Sequence, residues 1–286
     1  METEMCFFKI VKNILNKCGL YIYDDSISMF IYLKYWLIVF FLFATFVTSF
    51  HYVLLNLNDI QKASTALFAA NIMFIGSIYY SMIFQQKTEL HSLIDEIENM
   101  VKKQICMRPT SRFRYKIAEE TTTSVGIFIV KYCAIALPIY AILLASIPIA
   151  SLLYTGNALM IDMYPASVPF DPKTFTGFYC LLIFQFISSA FYLAVYTAAL
   201  VFHTALNIFI QAFVDDLETM FYDIDAQIDE NVSQIQIKIQ LIQAIQFHAN
   251  VMIFTKRFVN FMSKGLFLEI LTASVTIAIV FVQLET

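Results

Sequence analysis

Five apolar runs of bilayer-crossing length limit what this chain can fold into. About 20 apolar residues at 1.5 Å each cross the ~30 Å hydrocarbon core of a membrane as a helix. The qualifying runs are Tyr35–Leu57 ("YWLIVFFLFATFVTSFHYVLLNL"), Ala63–Phe84, Val125–Tyr154, Phe175–Phe213 and Phe258–Leu284. The third contains Pro138 and Pro148, and the fourth is about twice the length a span needs. Hydrocarbon offers the backbone no hydrogen-bond partner, so a span must be a helix or part of a closed barrel. None of the runs alternates as a barrel strand would. Composition agrees: 59% of residues are hydrophobic and 14% charged, against ~45–50% and ~25% in soluble domains. The expected fold is all-α, a polytopic membrane helix bundle in which residues 1–286 form a single transmembrane unit.

Lysine and arginine set the orientation, because they accumulate on the cytosolic side. Residues 1–34 hold Lys9, Lys12, Lys17 and Lys34. The 85–124 connection holds Lys87, Lys102, Lys103, Arg108, Arg112, Arg114 and Lys116, and the stretch around 214–264 holds Lys238, Lys256, Arg257 and Lys264. The alternate connections carry only Lys62 and Lys173. The N-terminus is therefore cytosolic, and the fifth span ends outside. This topology keeps Asn231, in the only N-x-S/T triplet ("NVS"), in the cytosol and unmodified. Lys131 falls about one and a half turns inside the third span, where its stem can carry the ammonium back to the headgroups.

The connections are unequal. Residues 163–172, "MYPASVPFDP", place Pro165, Pro169 and Pro172 in a short outer loop. Three prolines so close bar a helix and favour a stiff extended segment, either a cover over the outer mouth or a plain connector. On the inner side the fourth span runs on as "HTALNIFIQAFVDDLETMFYDIDAQIDE", with Ala212, Leu217, Met220, Phe221 and Ile224 at helical spacing. After the acidic turn, "SQIQIKIQ" alternates like a strand. Ile235, Ile239, Ile242, Ile245, Ala249 and Met252 nevertheless keep a helical period over the longer window. Two long cytosolic helix extensions, packed antiparallel, are expected. Near the N-terminus Phe7, Val11, Ile14, Leu15 and Cys18 form an apolar stripe opposite Lys9, Lys12, Asn13 and Asn16. It suits a helix lying on the membrane surface or one packed on other cytosolic helices.

Catalytic chemistry is absent from the sequence. No GxSxG, HExxH, Walker A or GxGxxG occurs, so no enzyme and no cofactor is indicated. Four dispersed histidines and five cysteines without metal spacing indicate no metal site and no disulfide framework. A net charge of −4 without a basic run of more than two residues excludes a nucleic-acid footprint. Glu269 is an acid within the last span with no partner cation in view.

What remains is binding. The outer halves of spans two to four are rich in Phe, Tyr, Met and Leu, and prolines in span three open gaps between helices. The candidate ligand-binding residues are Met73 and Phe74 on span two, Tyr140, Leu144 and Ile147 on span three, and Phe178, Tyr179, Leu182 and Phe186 on span four.

In order and orientation the chain resembles the insect odorant receptors, seven-helix ligand-gated cation channel subunits with a cytosolic N-terminus. The resemblance rests on "MYPASVPFDP" ahead of a span containing Gln185, and on "HTALNIFIQAFVDDLETM" with Gln211 and Leu217. It continues through "LIQAIQFHANVMIFTKRFVNFMSKGLFLEILTASVTIAIVFVQL" with His248. His203 and Glu269 depart from the family pattern, and "ASV" interrupts its usual loop run. The resemblance implies an odorant receptor subunit in the plasma membrane of olfactory sensory neurons. It implies binding of small volatile organic molecules between the helices, and gating of a cation channel in a hetero-oligomer, a tetramer, with a co-receptor subunit. It further implies that spans six and seven, including the pore-lining helix, are missing after Thr286, so that the chain is expected to be a fragment unable to conduct alone. A gustatory receptor of the related family is the near alternative. A G-protein-coupled receptor would need an outer N-terminus and an acid-arginine-aromatic triplet after span three, and a transporter would need internal repeats; neither pattern is present.

Overall fold

The computed structural model describes residues 8–20, 28–229 and 233–285, with side chains beyond Ser263 described only in part. All of its regular elements are helices: α1 (Lys9–Lys17), α2 (Ser28–Leu55), α3 (Ile60–Gln85), α4 (Lys87–Met107), α5 (Ser111–Thr155), α6 (Phe175–Asp229) and α7 (Gln234–Glu285). By length and composition α2, α3, α5 and α6 can each cross a membrane. The expected fifth span, 258–284, falls in the C-terminal half of α7, mostly among side chains outside those described, as does Glu269; Asn231 also lies outside the described residues.

The helices outrun the apolar stretches that mark them. At 55 residues α6 is about 80 Å long, far more than a bilayer core, so its second half stands clear of the hydrocarbon as the sequence foretold. The 52-residue α7 returns beside it. Phe213 meets Phe247 edge-on at 5.6 Å, His203 lies 5.7 Å from Phe258, and Phe202 lies 6.1 Å from Phe261. Numbers that rise on one helix fall on the other, which makes the pair antiparallel. The stretch that alternates like a strand is helical from Gln234. Helix α5 begins at Ser111, well before the apolar run that starts at Val125, and continues through both prolines. Tyr115, Ala118 and Thr122 are buried along its early turns, a stripe too narrow to register as an apolar run.

The amphipathic N-terminal segment packs inside the bundle. Phe8 and Val11 are fully buried, Leu15 nearly so, and the Phe8 ring lies 4.5 Å from that of Phe209 on α6. Lys12 reaches Glu98 of α4 at 2.7 Å, the Phe8 N–H donates to Glu119 of α5 at 3.0 Å, and the Tyr80 hydroxyl of α3 donates to the Cys18 carbonyl at 2.7 Å. Four helices thus hold α1, and the surface-lying alternative does not describe it.

One buried carboxylate fixes the cytosolic end. Asp216 of α6, with no exposed surface, accepts from Ser111 Oγ at 2.6 Å, Arg114 Nη1 at 2.7 Å and the Tyr115 hydroxyl at 2.9 Å. Arg108 Nη1 stands 3.6 Å away, and its other terminal nitrogen pairs with Asp223. A carboxylate out of water is stable only when paired and hydrogen-bonded this fully. The α4–α5 turn is thereby tied to α6. A second tie joins Arg257 of α7 to Glu89, at 2.7 Å, and to Glu96 of α4.

Candidate ligand-binding site

At the outer end, Gly156 closes α5 with φ of 74°, a left-handed conformation that glycine adopts without penalty, and its N–H caps Leu152 O at 3.0 Å. The 157–174 connection then folds back onto the bundle. Gln185 of α6, fully buried, is its latch: Oε1 accepts from the Met163 N–H at 3.1 Å and Nε2 donates to the Tyr164 carbonyl at 2.6 Å. On the other side the Ser167 N–H donates to Thr48 O of α2 at 3.0 Å, and the Ser167 hydroxyl lies 3.0 Å from His51 Nδ1. Pro165 and Pro172, both half-buried, have no N–H to leave unpaired, while Pro169 is exposed. Asp162, half-buried here, has its carboxyl pushed above the usual range by that burial.

Gly177, in the first turn of α6, marks how tightly the connection sits. A Cβ at this position would lie 2.0 Å from the Asp171 carbonyl oxygen, a backbone atom. Gly177→Ala is expected to push the connection outward and to cost about 2 kcal/mol, within the range for overpacking. Thermal unfolding of the purified protein measures the loss, and an unchanged midpoint would show that the connection yields freely.

Beneath this cover, Leu144 of α5 and Phe178 and Leu182 of α6 form a small buried cluster of their own, separate from the main core. Ile147, Ala145 and Tyr179 pack against it, as do Met160 and Met163 from the connection. The Tyr179 hydroxyl donates to Ala145 O at 3.0 Å, and its ring stands edge-on to Phe178 at 5.3 Å. Five of the nine residues singled out from sequence (Leu144, Ile147, Phe178, Tyr179 and Leu182) therefore meet. The other four do not join them. Met73 is buried in the main core, and Phe74, 38% exposed, lies against Phe46 at 4.7 Å. Tyr140 is 47% exposed. Phe186 lines a deeper cavity of about 320 Å³ with Pro138. Span two falls away from the cluster because α3 packs chiefly on α2 and α7.

Met160, Met163 and Ala145 were missed. For the two methionines the available signal was "ALMIDMYP", an apolar stretch in a connection that would otherwise be polar, while nothing singled out Ala145 on α5. Among the described residues no group of His, Cys, Asp and Glu could hold a metal ion, and Cys18, Cys106, Cys133 and Cys180 are free thiols.

No curated protein matches the chain by sequence. Among solved structures, the insect olfactory receptor OR5 from Machilis hrabei in complex with eugenol superposes with a TM-score of 0.69 at 14% identity, covering 95% of this chain and 69% of that one. A second structure of the same receptor gives 0.66 at the same identity and coverage. At this identity the likeness is one of fold: an all-helical, multi-pass membrane bundle. Sequence carries the assignment further, since the family model described as "7tm Odorant receptor" matches residues 59–286. This chain belongs to the seven-transmembrane odorant receptor family of insects, a family of receptors and not of enzymes.

Proposed function

We propose that the chain is the sensor part of an odorant receptor subunit. A small apolar volatile molecule enters the α5–α6 cluster beneath the outer connection and biases a cation channel formed with a co-receptor subunit, in the plasma membrane of olfactory sensory neurons. The observation that supports this reading is the covered cluster of Leu144, Phe178, Leu182, Met160 and Met163, at the outer ends of two helices that continue into the cytosol. Its walls are carbon and sulfur, which suit a ligand with little hydrogen-bonding capacity. Methionines change shape readily, so one small pocket can admit several volatiles. The Tyr179 hydroxyl is the one polar side-chain group of the cluster and can accept from an alcohol or phenol. The structural relative with the TM-score of 0.69 is a complex with eugenol. Because the methionines ride on the connection, a ligand that displaces them lifts the segment latched by Gln185 and shifts α6, whose far end is tied to the cytosolic helices through Asp216.

The test is displacement of a fluorescent apolar probe from the purified chain by a panel of volatile alcohols, esters and phenols. Leu182→Trp, which fills the cluster, is expected to weaken the best ligand at least tenfold, about 1.4 kcal/mol. Phe74→Trp, on α3 against Phe46 and outside both the cluster and the cavity at Phe186, is the control. Equal affinity for both variants and the native chain would remove the site from the α5–α6 cluster.

A further inference from the structure

A cavity apart from the outer cluster lies on the cytosolic half of the bundle where α1, α5 and α6 meet. Its volume is about 320 Å³, at the lower end of ligand-sized pockets. The α5 wall is Val130, Cys133, Ala134, Leu137 and Pro138, a single helix face. The α6 wall is Phe186, Ala190, Leu193, Ala194 and Thr197, again one face and mostly small residues. Ile14, Lys17 and Cys18 of the N-terminal segment form its third wall. From Val130 to Pro138 the cavity runs about 12 Å along α5, from the inner headgroup level toward the midplane.

Its chemistry is one-sided. The polar side chains of the wall are spent on protein partners: Cys18 Sγ donates to Ala194 O at 3.5 Å, and Thr197 Oγ1 donates to Cys133 Sγ at 3.3 Å. No acid lines the cavity, and among the described residues no carboxylate pairs with Lys17. Lys131 is exposed on α5 beside Val130. An apolar slot with an exposed lysine ammonium on its wall, unpaired among the described residues, matches an amphiphile with a hydrocarbon tail and an anionic head. The cytosolic leaflet is where anionic lipids concentrate, and a nearby lysine there is worth roughly fivefold in affinity.

We propose that this cavity is a binding site for an anionic phospholipid of the cytosolic leaflet, with one acyl tail between α5 and α6 and the headgroup at Lys17. The occupant bridges the N-terminal helix to both long helices, so the charge of the surrounding leaflet sets how firmly α1 is held.

The full chain is reconstituted in phosphatidylcholine vesicles containing a minor fraction of phosphatidylserine with a photoreactive diazirine in its acyl chain, and labelled peptides are mapped after irradiation. Label is expected on residues 130–138 and 186–197. Ala134→Trp, which fills the slot, should reduce it several-fold. Lys17→Gln, an exposed change that leaves packing alone, should reduce it about fivefold for the serine lipid and leave diazirine phosphatidylcholine labelling unchanged. Equal labelling by the two lipids, or no response to Lys17→Gln, overturns the proposal. Competition by a free long-chain fatty acid at equal concentration also overturns it, by assigning the slot to a single-chain amphiphile.

Discussion

Replacing Asp216 with alanine is expected to lower stability by about 3 kcal/mol, the lower end of the range for breaking a buried ion pair. The carboxylate has no exposed surface and gathers four groups from the α4–α5 turn and the first turns of α5: Ser111, Arg114, Tyr115 and Arg108. Removing it strands them unequally. The Arg108 and Arg114 side chains are 18% and 30% exposed and can turn their charge toward water, which moderates the loss. Tyr115 is fully buried, so its hydroxyl loses its acceptor with no replacement. Asp216→Asn separates charge from shape, since it keeps an acceptor for Ser111 and Tyr115 but leaves two guanidinium groups without a counter-ion. Thermal unfolding of the detergent-purified protein should rank native above Asp216→Asn above Asp216→Ala. If the asparagine variant matched the native protein, the hub would be a hydrogen-bond site in which charge plays no part. High salt should change little, because ions do not screen a pair sealed from solvent.

That hub also shows where the sequence stops being readable. Its members stand 101–108 residues from Asp216 along the chain, and no local pattern announces such a pairing. The helices themselves were legible, because apolar length and a 3.6-residue period are local properties. So were Leu144 with Ile147, and Phe178 with Leu182, which share helix faces at spacings of three and four. The grouping of Met73 and Phe74 with them rested on the composition of the outer halves of spans two to four, which does not say which spans touch. In the fold, α4 intervenes between α3 and α5 as a separate cytosolic helix, and α3 turns to α2 and α7. The early turns of α5 were hidden for a different reason. "SRFRYKIAEETTTS" is charged and threonine-rich, and only Tyr115, Ala118 and Thr122 betray its buried face. For α1 the sequence offered two homes, and the choice depended on Phe209, about two hundred residues from Phe8. Family membership was readable where packing was not, because it rests on the order of segments along the chain.

Gln185→Leu is the variant expected to open the outer connection. Leucine keeps much of the volume but offers neither donor nor acceptor, so the Met163 N–H and the Tyr164 carbonyl lose their partners together. A stranded buried group costs about 1–3 kcal/mol, and two would cost more if both stayed in place. They need not, because water lies just outside. The connection can lift and hydrate them, giving up the packing of Met160 and Met163 on Leu144, Phe178 and Leu182. The loss should therefore appear as local opening. Hydrogen exchange in the 160–167 peptide is expected to accelerate about a hundredfold, which corresponds to about 2.7 kcal/mol. Peptides around Phe209 on the same helix should exchange at the native rate, since the main core is untouched. Uniform acceleration along α6 would make Gln185 a general core residue. An unchanged loop peptide would mean that the two methionines alone hold the cover. Gln185→Glu distinguishes the two hydrogen bonds: it still accepts from Met163 but sets an anion against the Tyr164 carbonyl, so the connection should open at its second point while the first holds. A volatile ligand would then reach the cluster faster in both variants and leave it faster too, and affinity would change less than either rate.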